Sequence, residues 1–247
     1  MATESFADSM RRLSSAQKGR AKGAPAYSVY VNRPVGRVFA ALAYRIGLSP
    51  NGVTAVSAVF TFSGILVLAL VAPGWWTGLL VWLLLAIGYA LDSADGQVAR
   101  LQGGGSLAGE WLDHFIDAIK IVSLPIATAI GLFRFADVPT SYLLVPLGFA
   151  VVATATFFGM ILNDLLKSSK GIPSSAQSGG GGALRSVILL PVDYGIVCLV
   201  YVLWGWSTVF VYAYAFFFAA ALAFCLLAAV RWFRAMRALG NGAANGR

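Results

Sequence analysis

Aspartates stand at positions 92, 95, 113 and 117 of a chain that is 59% hydrophobic and only 11% charged. Each lies in an apolar run, where an acidic side chain raises the free energy of a bilayer-spanning segment by at least about 2.5–3.5 kcal/mol on insertion scales. Four carboxylates in one small volume cannot all stay ionised without cations. Hard divalent ions with oxygen ligands are the natural counter-charge, and no His–Cys cluster competes for a softer metal. Two such ions about 3.5–4 Å apart could bridge a pyrophosphate and stabilise charge on its attacking and leaving oxygens. Chemistry of that kind asks for metals, positioning and little else from the protein.

The spacing supports a shared site. Asp92, Asp95, Gly96, Ala99 and Arg100 stand at i, i+3, i+4, i+7 and i+8, which is one helical face. Gly109, Asp113 and Asp117 stand at i, i+4 and i+8, again one face. Gly96 and Ala99 leave room for a bulky ligand to press against the backbone, and Arg100 can offer a planar fork to phosphate oxygens.

The elements that must position these groups are membrane helices. A span needs roughly 20 residues, and apolar runs near that length cover about 51–72, 75–101, 106–134, 140–166, 186–205 and 208–232. The expected fold is therefore an all-α integral membrane protein of six transmembrane helices, with a catalytic domain over 49–238. Gly103-Gly104-Gly105 makes a tight turn that Ser106 can follow as a cap, so the second and third spans should be antiparallel neighbours that bring the two acidic pairs together. Ser49-Pro50 supplies a helix-start signal for the first span.

Outside the spans, residues 1–32 read as a mobile basic tail without an apolar core of the signal-peptide kind. Residues 33–48 carry Val35, Val38, Phe39, Leu42 and Ile46 at helical spacing and suit an amphipathic helix, lying in the interface or packed on the spans. Residues 168–183 form a glycine-rich loop, read as slack linker or lid, and 239–247 a C-terminal tail. The net charge of +8 gathers before the first span, at Arg100, around Lys167, Lys170 and Arg185, and after the sixth span. By the positive-inside rule both termini and the acidic helix ends face the cytoplasm. Anionic head groups explain this charge more simply than nucleic acid does. Cys198 and Cys225 sit within predicted spans and read as small core residues.

The full pattern, Asp92-x-x-Asp95-Gly96-x-x-Ala99-Arg100, then eight residues, then Gly109-x-x-x-Asp113-x-x-x-Asp117, resembles the signature of the CDP-alcohol phosphotransferases, which are membrane enzymes of phospholipid synthesis. The resemblance is close over 92–117 and broad over the six spans. It implies that Asp92, Asp95, Asp113 and Asp117 hold Mg²⁺ or Mn²⁺, two ions per site, and that Asp117 is also the base for the acceptor hydroxyl. It implies that Gly96, Ala99, Arg100 and Gly109 frame the CDP moiety, that CMP is released, and that the protein is a homodimer of the inner (plasma) membrane. The compact chain and its basic face suggest CDP-diacylglycerol as donor with a small polar acceptor. Glu110 and His114, placed as in the choline and ethanolamine branch, keep open the reverse arrangement, a small CDP-alcohol with a lipid acceptor. His114 would then share the work of a base or position the acceptor; otherwise it hydrogen-bonds Glu110. Lys120 should pair with Asp117 or Asp193. A cation transporter and an inactive scaffold are the rival classes. The first wants acids through the full membrane depth, and the second is at odds with an intact motif.

Overall fold

The computed structural model describes residues 10–13, 25–172 and 190–244, and all regular structure among them is helical. After a π-helical turn at Ser28–Asn32 come α1 (Arg33–Arg45), α2 (Pro50–Leu70), α3 (Trp75–Leu101), α4 (Leu107–Phe135), α5 (Leu144–Ser168), α6 (Tyr194–Val200) and α7 (Ser207–Ala244). Five helices, α2 to α5 and α7, are long and apolar enough to cross a membrane. Their outer faces leave Trp76, Phe133, Leu144, Val151, Leu227 and Phe233 exposed. Such a surface suits lipid rather than water. The chain is an all-α membrane protein.

The helix ends follow the local chemistry. The Ser49 hydroxyl accepts from the Gly52 amide at 3.1 Å with Pro50 at the first helical position, and the Ser106 hydroxyl accepts from the Gly109 amide at 3.0 Å. Between α3 and α4, Gly103 and Gly104 take φ of 100° and 137°, a left-handed conformation that side chains resist. That turn reverses the chain within a few residues.

Yet α3 and α4 share almost no close backbone contact; each packs instead on α2. Small residues set both approaches. A Cβ on Gly88 would fall 2.1 Å from the Thr61 hydroxyl oxygen, and one on Gly131 would fall 2.4 Å from the Leu68 carbonyl oxygen. Ser57 fixes the first contact by donating to the Gly88 carbonyl at 2.8 Å. The expected antiparallel pair is thus splayed, with α2 as the common post and room between the two acidic faces.

Three further expectations change. The fifth predicted span, 186–205, is realised among the described residues as a shorter apolar helix, Tyr194–Gly205, its last turns 3₁₀. Its start packs against α3, where the Tyr89 ring meets Tyr194 edge-on at 5.0 Å. Asp193 caps it, accepting from the Gly195 amide at 3.1 Å, and also takes the Ser28 amide at 3.2 Å. Backbone that is not helical is tolerated inside a membrane bundle when protein encloses it and satisfies its polar groups. Pro191 and Asp193 are an ordinary helix-start pair, and hydropathy alone passed over them. The N-terminal stretch read as a tail is structured in part: Leu13 is 2% exposed in a core with Ala40, Val53 and Leu101. Finally, α7 runs on to Ala244, through Gly240 and Gly242, so most of the expected C-terminal tail is helix.

Helix α1 has two apolar faces. Gly36, Ala40, Ala41 and Ala43 are buried, with Gly36 against Ala90 and Ser93 of α3, while Val35, Val38, Leu42 and Ile46 remain exposed. It therefore packs on the bundle, which is one of the two placements considered for 33–48, and turns its larger side chains outward. Residues 173–189 lie outside the described residues, and with them most of the linker-or-lid segment 168–183 and the start of the fifth predicted span.

Candidate active site

One face of α2 carries Thr54, Ser57 and Thr61, all buried. Thr54 Oγ1 donates to Asp95 Oδ2 at 2.6 Å, and Asp95 Oδ1 accepts from the Gly96 amide. Asp95, only 8% exposed, is thus aimed by two donors. Asp92, one turn beyond the Gly88 contact, pairs with the ammonium of Lys120 on α4. The same ammonium lies 2.7 Å from Asp117 Oδ1. Lys120 therefore bridges the acids of the two helices across the gap between them. The expected Asp117 partner is present; the Asp193 alternative is not, because Asp193 is occupied by backbone amides.

Asp113 completes the group. Its Oδ1 is enclosed without a hydrogen-bond partner. One ligand-capable atom from each of Asp113, His114 and Asp117 lies within 4.8 Å of the others. Asp92 interacts electrostatically with Asp95, Asp113 and Asp117, and Asp95 with Asp113. The four aspartates face one volume. His114 Nδ1 has no hydrogen-bond partner, and its ring meets Phe157 edge-on at 6.3 Å. The Glu110–His114 hydrogen bond is not formed, since Glu110 points outward at the exposed start of α4.

Toward the turn the site opens. A Cβ on Gly96 would meet only the Arg100 guanidinium, at 3.7 Å, so that helix face is bare backbone. Ala99 is buried beside it, and Arg100 lies where it feels both Asp95 and Arg33. A Cβ on Gly109 would lie 3.1 Å from Asn51 Oδ1, which ties α4 to the start of α2. Sequence reasoning missed Thr54 and Arg33. The i, i+3, i+7 hydroxyls of α2 were a visible signal for the first. For Arg33 no local pattern existed, because its proximity to Arg100 comes from α1 packing on α3.

The donor set fits divalent cations. Asp113 Oδ1 is an enclosed acceptor without a donor, and a buried ammonium already supplies positive charge between Asp92 and Asp117. Outer groups that orient metal ligands are worth about 10–100-fold in affinity. Thr54→Val, which keeps shape and removes the donor to Asp95, should weaken Mn²⁺ binding by roughly tenfold or more on that basis. Titration of the purified variant followed by calorimetry checks it, and unchanged affinity would show that Asp95 needs no such support.

The sequence profile of the CDP-alcohol phosphatidyltransferases matches residues 48–235, from just before α2 through most of α7. The chain belongs to this family. Membership places it with an enzyme class of phospholipid synthesis. The chain is also similar to cholinephosphotransferase 1 of Xenopus laevis, 32% identical over 127 residues, or 49% of this chain and 30% of that protein. The matched stretch spans under a third of the relative's length.

Lys120 stands three residues beyond Asp117, outside the Asp92–Asp117 pattern. Removing one partner of a buried ion pair is destabilising by about 3–5 kcal/mol. Lys120→Met should therefore lower the melting temperature in chelator by several degrees, and saturating Mg²⁺ or Mn²⁺ should raise it more than in the native protein. Equal metal-induced shifts in the two proteins would mean that the ammonium and the cations do not answer the same charge.

Proposed function

We propose that the protein transfers a substituted phosphoryl group from a CDP-alcohol to a hydroxyl acceptor and releases CMP. The observation that carries this reading is the convergence of Asp92, Asp95, Asp113 and Asp117 on one volume beside the bare Gly96 face. These four side chains would hold Mg²⁺ or Mn²⁺, two ions by the family pattern. Bound there, the ions would neutralise the donor's pyrophosphate and the charge that develops as it breaks.

The protein's own groups do the rest. Gly96 and Ala99 let the nucleotide approach the backbone of α3, and Gly109 keeps the start of α4 close to Asn51. Arg100, with Arg33 near it, offers guanidinium donors to phosphate oxygens at the mouth. Asp117 accepts the acceptor's hydroxyl proton. The acceptor oxygen then bonds to the phosphorus that carries the donor's alcohol, the bond from that phosphorus to the CMP oxygen breaks, and CMP carries off the electron pair. Placing the acidic mouth, α1 and both termini on the cytoplasmic side follows from the basic residues around them. A homodimer belongs to the same reading by family likeness, and cross-linking in membranes tests it.

Which substrate bears the lipid is the finer choice. The basic mouth suits CDP-diacylglycerol with a small polar acceptor. The cholinephosphotransferase relative favours the reverse, a small CDP-alcohol and a lipid alcohol. Purified protein supplied with Mg²⁺ or Mn²⁺ and each donor–acceptor pair tests the class, with CMP release as readout. No CMP from any CDP-alcohol would overturn it.

A further inference from the structure

Just past Asp117 and Lys120, on the side away from Gly96 and Arg100, lies a cavity of about 300 Å³ between α4, α5, α6 and α7. That is the lower end of the roughly 300–1,000 Å³ range of ligand pockets. Its walls are almost wholly apolar, with Ile121, Pro125, Phe149, Ala153, Met160 and Phe224 among them. Phe157, which meets the His114 ring, also lines it, so cavity and acidic site adjoin.

Four lining residues carry hydroxyls, and three are satisfied by the protein. Thr156 donates to the Val152 carbonyl at 2.7 Å, Tyr201 shares a 2.8 Å hydrogen bond with Thr128, and Tyr214 joins the same network. The fourth, Tyr194, has an enclosed hydroxyl that meets only the weakly hydrogen-bonding Cys198 thiol among the described residues, and it interacts electrostatically with Asp92 and Asp117. A buried hydroxyl left with a thiol has exchanged its water for a weaker partner, which is unfavourable. It therefore asks for a ligand that is apolar along its length and polar at one end.

In-line displacement at phosphorus puts the nucleophile opposite the leaving group. With CMP on the Gly96–Arg100 side, the acceptor approaches from the far side, which is where this cavity lies. We infer that the cavity holds the hydrocarbon of a lipid-alcohol acceptor, with Tyr194 anchoring its hydroxyl beside Asp117. The inference rests on the proposed transfer reaction and assigns the lipid to the acceptor. A small CDP-alcohol is then the donor.

The test uses the full chain in nanodiscs with Mn²⁺. One arm supplies CDP-ethanolamine with dioleoylglycerol; the other supplies CDP-diacylglycerol with glycerol phosphate, inositol phosphate or serine. CMP release in the first arm is expected. Ala153→Phe, which fills the cavity, should raise KM for dioleoylglycerol at least tenfold and leave KM for CDP-ethanolamine within twofold. Tyr194→Phe should lower kcat about tenfold with the nucleotide KM unchanged. Because Ala153→Phe could misfold, a photoactivatable diacylglycerol is also bound to the native protein, where it should label peptides within 149–160 or 214–224 and be displaced by dioleoylglycerol. Label elsewhere, CMP from the second arm alone, or an Ala153→Phe effect on the nucleotide KM overturns the inference. CMP from neither arm overturns the transfer reaction, whereas the photolabel decides the cavity independently.

Discussion

Asp117→Asn is expected to lower kcat for CMP release about a thousandfold, within the 10²–10⁴ range of a positioned general base. Such a loss corresponds to about 4 kcal/mol of barrier. Binding should suffer far less. The substituted amide keeps an oxygen toward Asp113 and His114, while Lys120 still has Asp92 as its partner. A non-reactive CDP-alcohol analogue should therefore bind within about tenfold of native affinity in Mn²⁺. Single-turnover kinetics beside calorimetric titration separates the two effects. Unchanged turnover would remove Asp117 from the base role; lost nucleotide binding with normal residual chemistry would make it a ligand only.

Stripping divalent ions is the second large effect. Excess chelator should bring CMP release to background, and added Mg²⁺ or Mn²⁺ should restore it. Stability should move in parallel. A ligand at about 100 times its Kd stabilises the folded state by roughly 2.7 kcal/mol, so the melting temperature in detergent should fall by several degrees on chelation. The physical reason is the unequal charge at the site, where Lys120 is the described cation that reaches Asp92 and Asp117 while Asp95 and Asp113 add two more carboxylates. Turnover that persists in chelator would end the metal-dependent reading.

Much of this site was legible before any coordinates. Helical phase alone put Asp92, Asp95, Gly96 and Ala99 on one face and Gly109, Asp113 and Asp117 on another, because 3.6 residues per turn leaves few alternatives. The glycine turn, Ser49 and Ser106 announce the helix ends at the acidic face, and the second predicted span, 75–101, has the bounds of α3. Hydropathy was weaker where burial is by protein rather than lipid. The half-length helix at Tyr194–Gly205 has the composition of a span but not its length, and only Pro191 and Asp193 signalled its start. Leu13, in a stretch read as a tail, is held by a core formed from α1, α2 and α3, a contact no local pattern encodes.

Long-range packing decided what those faces meet. The sequence alone determined an all-α membrane chain and two acidic helix faces joined by a short turn, since both follow from residue periodicity and the intolerance of lipid for unpaired charge. The tertiary structure decided that α2, not direct α3–α4 packing, sets the gap between the faces, because Gly88 and Gly131 admit its backbone so closely. It also decided that Lys120 spans that gap, that Arg33 comes within electrostatic reach of Arg100, and that Tyr194 does so of Asp92 and Asp117. Those are meetings between residues distant in the chain, fixed by how neighbouring helices interlock rather than by any spacing along one of them.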